Sequence, residues 1–233
     1  MTAAAAALVF IVDDDPSVRR SLTRLVRAAG YEVEAFDSSR EFLARPRHDG
    51  PSCLVLDVRM PGLTGLELQE HLEVAGQRWS IVFITGCEGV SAGVKAMKGG
   101  AVDFLTKPVG KQELLNAIER AVATSRRART EQARTTEIHE RIKSLTPREA
   151  EVFALVVTGM LNKQIAVDLG VGEKMVKVHR GRVMEKMRAG SLAELVRLAD
   201  EGGIISPRRR SGQSPEATAV VDQGPLPRRD GGE

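Results

Sequence analysis

The chain has 233 residues, 42% of them hydrophobic and 28% charged, a composition typical of a globular protein and not of a disordered or membrane one. No apolar run approaches the ~20 residues that a membrane-spanning helix needs, and the N-terminal MTAAAAA lacks the positively charged region of a secretory signal. Residues 8–122 hold 14 Lys and Arg against 16 Asp and Glu, a net charge of −2. Residues 123–233 hold 20 Lys and Arg against 15 Asp and Glu, a net charge of +5. The positive charge of the second half favours contact with an anionic polymer.

Short β-rich segments alternate with amphipathic helical segments in the first half of the chain. Strands are predicted at 8–12, 31–36, 53–56, 81–85 and 102–105, and helices at 17–29, 39–44, 66–74, 90–98 and from 111 onward. Single helices between strands predict a five-stranded parallel sheet with right-handed crossovers. Because several strands are almost entirely apolar, both faces of this sheet should be covered.

The second half is predicted to be helical. Residues 117–143 are rich in Arg, Glu, Ala and Thr and contain neither Pro nor Gly, which favours a stiff helix that continues from the sheet domain. The predicted organisation is therefore an α/β domain at 8–122, a helical linker at 123–143, an all-α domain at 144–205 and a disordered tail at 206–233, which is rich in Pro, Gly, Arg and Ser.

Polar residues follow the carboxyl ends of four predicted strands, where ligands bind in an open parallel sheet. Asp13 and Asp14 follow the first strand, Asp57 the third and Lys107 the fifth, and Thr85 ends the fourth. Clustered carboxylates repel one another unless a cation joins them, and Mg²⁺ prefers such oxygen ligands. One carboxylate can then act as a nucleophile to form an aspartyl phosphate, with the lysine and the hydroxyl contacting the phosphoryl oxygens.

Asp15 has a simpler interpretation, since Asp directly before Pro16 is typical of a helix N-cap followed by proline at the first helical position. An alternative is a phosphatase of the haloacid-dehalogenase type, in which Asp13 and Asp15 would form an Asp-x-Asp motif. That family needs a further acidic pair well after its lysine, and the segment PVGKQELLNAIER after Lys107 contains only single acids.

The motifs VFIVDDD, LDVRMPGLTG, FITG and AVDFLTKP resemble, in order and spacing, the receiver domain of two-component response regulators over residues 8–122. The resemblance implies a flavodoxin-like, doubly wound sheet and a bound Mg²⁺. It implies that Asp13 and Asp14 form the acidic pair, that Asp57 accepts the phosphoryl group and binds the metal, and that Arg59 binds the metal through its backbone carbonyl. It further implies that Thr85 and Phe104 are the switch residues. Lys107 would sense the phosphate, and the peptide bond between it and Pro108 is usually cis in the family.

The stretch from Leu145 to Met187 predicts a helix-turn-helix. Thr146 caps a helix that has Pro147 at its first position and Glu149 at the spacing of a capping box. A short helix begins at Asn162, and after a Gly-containing turn a longer, basic helix begins near Glu173.

The basic helix should have two different faces, since a helix has ~3.6 residues per turn. Val176, Val183 and Met187 form a stripe that should face the core. The opposite side could enter the major groove of DNA, where lysine donates to guanine or phosphate and valine contacts a thymine methyl. The candidate DNA contacts are Lys174, Lys177, Val178, Gly181 and Arg182.

The motifs LTPREAEV, NKQIA and VKVHRGRVMEKM resemble the four-helix LuxR-type DNA-binding domain, most closely its FixJ-like branch. The resemblance places Lys177 and Val178 at base-contacting positions and His179 at a packing position. Two residues depart from the family pattern, Gly172 where a Ser or Thr cap is common and Met175 where a phosphate-contacting Thr is frequent.

The two resemblances together imply a transcriptional regulator and not an enzyme beyond Mg²⁺-dependent self-phosphorylation and self-dephosphorylation. Its expected partners are a cognate histidine kinase, double-stranded promoter DNA, RNA polymerase and, after phosphorylation, a second copy of the chain. Cys53 and Cys87 lie in apolar runs without CxxC spacing, which predicts reduced core thiols and a cytoplasmic location. The alternative is a phosphate-independent DNA-binding protein with a vestigial receiver, which the complete set of pocket residues disfavours.

Overall fold

The computed structural model of the protein describes residues 7–86 and 90–204, and only the backbone of Val90 and Ser91. The predictions for Cys87 and for the tail from residue 206 onward lie outside these residues. The chain divides into two compact units, and the boundary falls between Glu140 and Arg141. None of the helices in the described part combines the length and apolar character that crossing a bilayer requires.

A five-stranded parallel sheet forms the centre of the first unit, as predicted. The strands are β1 Leu8–Val12, β2 Glu32–Phe36, β3 Ser52–Asp57, β4 Ile81–Thr85 and β5 Asp103–Thr106. Their order in the sheet is β2-β1-β3-β4-β5. The helices are α1 Pro16–Ala28, α2 Ser39–Ala44, α3 Gly65–Val74, α4 Val90–Lys98 and α5 Lys111–Lys143. The predicted bounds differ from these by one residue at several ends, and α5 runs unbroken through the segment predicted as a helical linker.

The three central strands, β1, β3 and β4, are buried on both faces, which explains why they are apolar along almost their whole length. Val9 and Ile11 of β1 pack in a core with α1 and α5, whereas Phe10 and Val12 pack in a second core with α2, α3 and α4. In the second core, Trp79 packs edge-on against Phe10, with ring centroids 5.4 Å apart. Trp79 is the only tryptophan of the chain, so its fluorescence reports on this core.

The second unit is helical, with α6 Pro147–Val157, α7 Asn162–Asp168, α8 Glu173–Met187 and α9 Leu192–Glu201. The predicted capping box at the start of α6 is present, since Glu149 N donates to Thr146 Oγ1 and Thr146 N donates to Glu149 Oε2. Buried apolar residues from all four helices fill the core, among them Phe153, Ile165, Val176, Val183, Met187 and Leu195.

An ion pair joins α8 to α6. Lys186 Nζ donates to Glu149 Oε2 over 2.6 Å, and the Glu149 side chain is 3% exposed. The hydrogen bond from Lys186 lowers the pKa of Glu149 to about 2, with help from the hydrogen bonds of Thr146. Because the pair fixes α8 on α6, it positions the helix that carries the candidate DNA contacts.

Candidate functional site

Three carboxylates lie together at the carboxyl edge of the sheet. Asp13 and Asp14 directly follow β1, and Asp57 is the last residue of β3, the strand beside β1. One oxygen of each carboxylate lies within 4.8 Å of the others, with Asp13 and Asp57 buried and Asp14 exposed. A compact set of oxygen donors with one side open to solvent suits Mg²⁺, which keeps some of its water ligands. The pocket is therefore compatible with Mg²⁺ binding.

Lys107 neutralises part of the negative charge in this pocket. Its Nζ donates to Asp13 Oδ2 over 2.8 Å and to Asp57 Oδ2 over 2.7 Å. Burial raises the pKa of Asp13, against the opposing effect of Lys107. Burial acts to lower the pKa of Lys107, but the two carboxylates outweigh it and the pKa is raised. The Lys107–Pro108 peptide bond is cis, as the resemblance implied.

Asp15 takes no part in the carboxylate cluster. Its Oδ1 accepts hydrogen bonds from Ser17 N over 2.7 Å and from Val18 N over 3.3 Å, which is the geometry of an N-cap on α1. These backbone donors lower the pKa of the Asp15 carboxyl. The side chain is thus committed to the helix, which supports the cap interpretation and disfavours the Asp-x-Asp motif of a phosphatase.

The two predicted switch residues lie on neighbouring strands. Thr85 is fully buried at the end of β4, and its Oγ1 has no hydrogen-bond partner among the described residues. Phe104 of β5 is half-buried, and its ring lies close to the backbone of Gly93 in α4, where an added Cβ would be 3.4 Å from the ring. Thr85 can therefore still accept or donate a new bond, and Phe104 is placed where a change in α4 would affect it.

Arg59 makes contacts that the sequence alone did not indicate. Its backbone N donates to Asp57 Oδ1 over 3.3 Å, and its side-chain Nη2 donates to Gly86 O over 3.2 Å. Another missed residue is Arg19 of α1, whose Nη1 donates to Asp13 O over 2.7 Å. The contact of Arg19 has a local signal in the sequence, since this arginine follows Asp13 by only six positions. The contact of Arg59 has none, because no spacing rule connects it to a residue 27 positions later.

The candidate DNA-binding helix α8 has the two predicted faces. Val176, Val183 and Met187 are fully buried, and Val178 is 44% exposed. All five candidate contacts, Lys174, Lys177, Val178, Gly181 and Arg182, are exposed on the surface of the unit. The structure thus brings them together on one helix and separates them from the core.

Two features of α8 bear on its position and its start. Arg180 Nη1 donates to Asn162 Oδ1 over 3.0 Å and so joins α8 to the first residue of α7. Gly172 provides the N-cap without a side-chain hydrogen bond, as expected from the missing Ser or Thr, and the exposed Met175 cannot donate to a phosphate. His179 is half-buried against the unit, in agreement with its predicted packing position.

Comparison with known proteins identifies both units. Residues 9–119 match the response regulator receiver domain family, and residues 143–199 match the luxR family of bacterial regulatory proteins. Nodulation protein W of Bradyrhizobium diazoefficiens is 50% identical over 198 residues, which are 85% of this chain and 87% of that protein. The chain belongs to the response regulator family. A receiver joined to a LuxR-type DNA-binding domain makes it a phosphorylation-dependent transcription regulator.

Solved structures of two response regulators are similar to this one. The response regulator StyR is 45% identical and matches with a TM-score of 0.76 over 84% of this chain and 100% of that chain. Full-length FixJ is 39% identical, with a TM-score of 0.51 over 85% of this chain and 98% of that chain. The predicted fold class and the resemblance to FixJ-like regulators are thus confirmed.

Proposed function

We propose that a partner histidine kinase phosphorylates Asp57, that the modified receiver dimerises, and that the dimer binds promoter DNA through α8. The observation that carries this proposal is the geometry of one pocket. Asp57 is a buried carboxylate with Lys107 Nζ at 2.7 Å and the carboxylates of Asp13 and Asp14 within 4.8 Å. Such an arrangement suits a carboxylate nucleophile beside one fixed cation, Lys107, and a Mg²⁺ ion that the three carboxylates would hold.

In the proposed reaction, a carboxylate oxygen of Asp57 attacks the phosphorus of the phosphohistidine of the kinase. A P–O bond to Asp57 forms, the P–N bond breaks, and the imidazole of the kinase leaves with the bonding electron pair. Mg²⁺ held by Asp13, Asp14, Asp57 and the Arg59 carbonyl would neutralise charge on the phosphoryl oxygens. Lys107 would donate to one of these oxygens in place of its present bond to Asp57.

The signal would leave the pocket through Thr85 and Phe104. The unpartnered Thr85 hydroxyl gains a partner if it donates to a phosphoryl oxygen, and the Phe104 ring lies beside α4. The surface of α4 exposes two large apolar side chains, Val94 at 46% and Met97 at 49%. Their burial against a second copy would favour a dimer formed by the α4, β5 and α5 surface.

DNA binding is assigned to the exposed side of α8. Lys177 would donate to guanine acceptors or phosphates and Val178 would contact a thymine methyl, while Lys174 and Arg182 add positive charge and Gly181 admits close approach of the backbone. Two such domains held together bind paired half-sites far better than one domain does. Contact with RNA polymerase would follow at the promoter.

The test compares wild type, Asp57→Asn and Thr85→Ala by sedimentation and DNA binding, with and without a small-molecule phosphodonor and Mg²⁺. Wild type should dimerise and gain roughly 5- to 150-fold in apparent DNA affinity, as is typical of allosteric coupling. Asp57→Asn should fold and ignore the phosphodonor, and Thr85→Ala should accept phosphate but respond less. If wild type is phosphorylated on Asp57 and neither its oligomeric state nor its DNA affinity changes, the vestigial-receiver alternative is favoured.

A further inference from the structure

The Arg59 side chain connects the two loops that border the pocket. The strands β3 and β4 are neighbours, and their last backbone contact is Val58 N donating to Ile84 O over 3.2 Å. Beyond it, Arg59 Nη2 donates to Gly86 O over 3.2 Å, which extends the connection by two residues into the loop after β4. This Arg59–Gly86 hydrogen bond is called the tether below.

The tether acts on the residue next to Thr85. The backbone oxygen of Thr85 accepts from Lys107 N over 2.6 Å, so the end of β4 is held from the β5 side as well. The Thr85 hydroxyl has no partner among the described residues. A shift of the backbone at the end of β4 that brings this hydroxyl to a phosphoryl group also displaces Gly86, one peptide bond away, and therefore strains the tether.

The Arg59 guanidinium can also be drawn away from Gly86. Arg59 N already donates to Asp57 Oδ1, so the root of the side chain lies beside the carboxylate that would be modified. A phosphoryl group adds about −1.5 to −2 of charge and three strong acceptor oxygens, and the planar guanidinium fork matches such oxygens. A neutral backbone carbonyl is the weaker acceptor of the two.

We propose that the Arg59 side chain is a positioning residue that holds the end of β4 in its unphosphorylated arrangement, and that a phosphoryl group on Asp57 releases Gly86 by taking over the guanidinium. This role belongs to the side chain and is separate from the metal contact assigned to the Arg59 carbonyl. It rests on the proposed function of Asp57 and deepens it, because it names what keeps the switch off.

The experiment measures the switch in the absence of any phosphoryl group. Full-length Arg59→Met and Arg59→Lys are prepared in an Asp57→Asn background, without Mg²⁺ or phosphodonor. The matched control is Arg47→Met, because the Arg47 side chain is 90% exposed and pairs with Asp49, also at the surface. Hydrogen exchange of peptides that span the end of β4 reports on the tether, and sedimentation reports on the dimer.

Arg59→Met should speed amide exchange at the end of β4 and raise the association constant of the unphosphorylated dimer by about three- to tenfold, the effect of losing an ordinary exposed hydrogen bond. Arg59→Lys keeps the positive charge and a donor nitrogen, on a side chain of different length and shape, and should restore part of the wild-type behaviour. Arg47→Met should match the Asp57→Asn parent. Wild-type exchange and association in Arg59→Met would overturn the proposal, and so would faster exchange throughout the receiver together with a lower urea midpoint.

The two proposals fail in different ways. If wild type phosphorylated on Asp57 does not dimerise, the proposed function fails, whereas faster local exchange in Arg59→Met still supports the tether. If wild type does switch on phosphorylation but Arg59→Met leaves both local exchange and basal association unchanged, the tether is wrong and the proposed function stands.

Discussion

Lys107 and Asp57 lie 50 positions apart in the chain, and in the folded receiver Lys107 Nζ donates to Asp57 Oδ2 over 2.7 Å. The same ammonium donates to Asp13 Oδ2 over 2.8 Å, so one cation separates two buried carboxylates. Two carboxylate charges this close repel each other, and the positive charge between them offsets that repulsion. Lys107 therefore stabilises the receiver in addition to any part it plays in phosphoryl transfer.

Lys107→Met should lower the free energy of unfolding of the receiver at pH 7 by about 1–3 kcal/mol. This loss lies between the values typical of exposed and of buried ion pairs, because the Lys107 side chain is 24% exposed. Mg²⁺ should stabilise the variant more than wild type, since it supplies the missing charge. Urea unfolding followed by Trp79 fluorescence, with and without Mg²⁺, measures both effects. An equal effect of Mg²⁺ on the two proteins would contradict this account of the pocket.

Asp14→Asn should weaken Mg²⁺ binding severely, because it removes the exposed carboxylate that faces solvent at the cluster. The matched control is Asp15→Asn, which removes the neighbouring charge but keeps an oxygen that can cap α1. Calorimetric titration of the three proteins measures the affinity. Similar weakening in both variants would mean that general negative charge, and not coordination by Asp14, attracts the metal.

Lys177→Ala should weaken DNA binding by roughly 1–3 kcal/mol if the lysine contacts a base, with relaxed preference at one position. If it contacts a phosphate, the loss of affinity should be similar for all DNA sequences. The slope of the logarithm of the binding constant against the logarithm of the salt concentration should then become shallower by about one. Arg197→Ala is the control, because Arg197 lies on α9 beside Glu194 and Glu201 of its own helix. Wild-type affinity of Lys177→Ala at every salt concentration would remove Lys177 from the interface.

Glu149 should make the stability of the helical unit sensitive to acid. Its pKa is about 2 in the folded protein against an ordinary value of 4.5, so the unfolded chain binds a proton first as the pH falls. The stabilisation is therefore complete above pH 4.5 and is lost as the pH falls toward about 2. Glu149→Gln should be less stable than wild type at pH 7 and should lose less stability across that range.

Differential scanning calorimetry of the full chain at several pH values measures this effect. The thermal transition of the helical unit is identified as the one that shifts in Glu149→Gln at pH 7. The control is Glu151→Gln, because Glu151 also accepts from a basic residue, Arg148, over 2.6 Å but is 51% exposed. Its acid profile should follow that of wild type. Parallel acid profiles for wild type and Glu149→Gln would show that the buried ion pair does not govern acid stability.

The sequence predicted the sheet and its pocket because both depend on local patterns. Apolar runs such as residues 8–12 identify strands that are buried on both faces, and the parallel order implied by the intervening helices places Asp13, Asp14 and Asp57 at one edge. The N-cap of Asp15 was likewise predictable, since a cap involves only residues within one turn.

The tertiary structure decided the contacts that join distant parts of the chain. Lys107 could have pointed into solvent, and only the fold shows that it bridges Asp57 and Asp13, 94 positions away. The bonds from Arg59 to Gly86 and from Lys186 to Glu149 span 27 and 37 positions. Such pairs depend on strand register and helix packing. Because long charged side chains can adopt many rotamers, the positions of neighbouring acceptors in the fold select their partners. Spacing in the sequence does not.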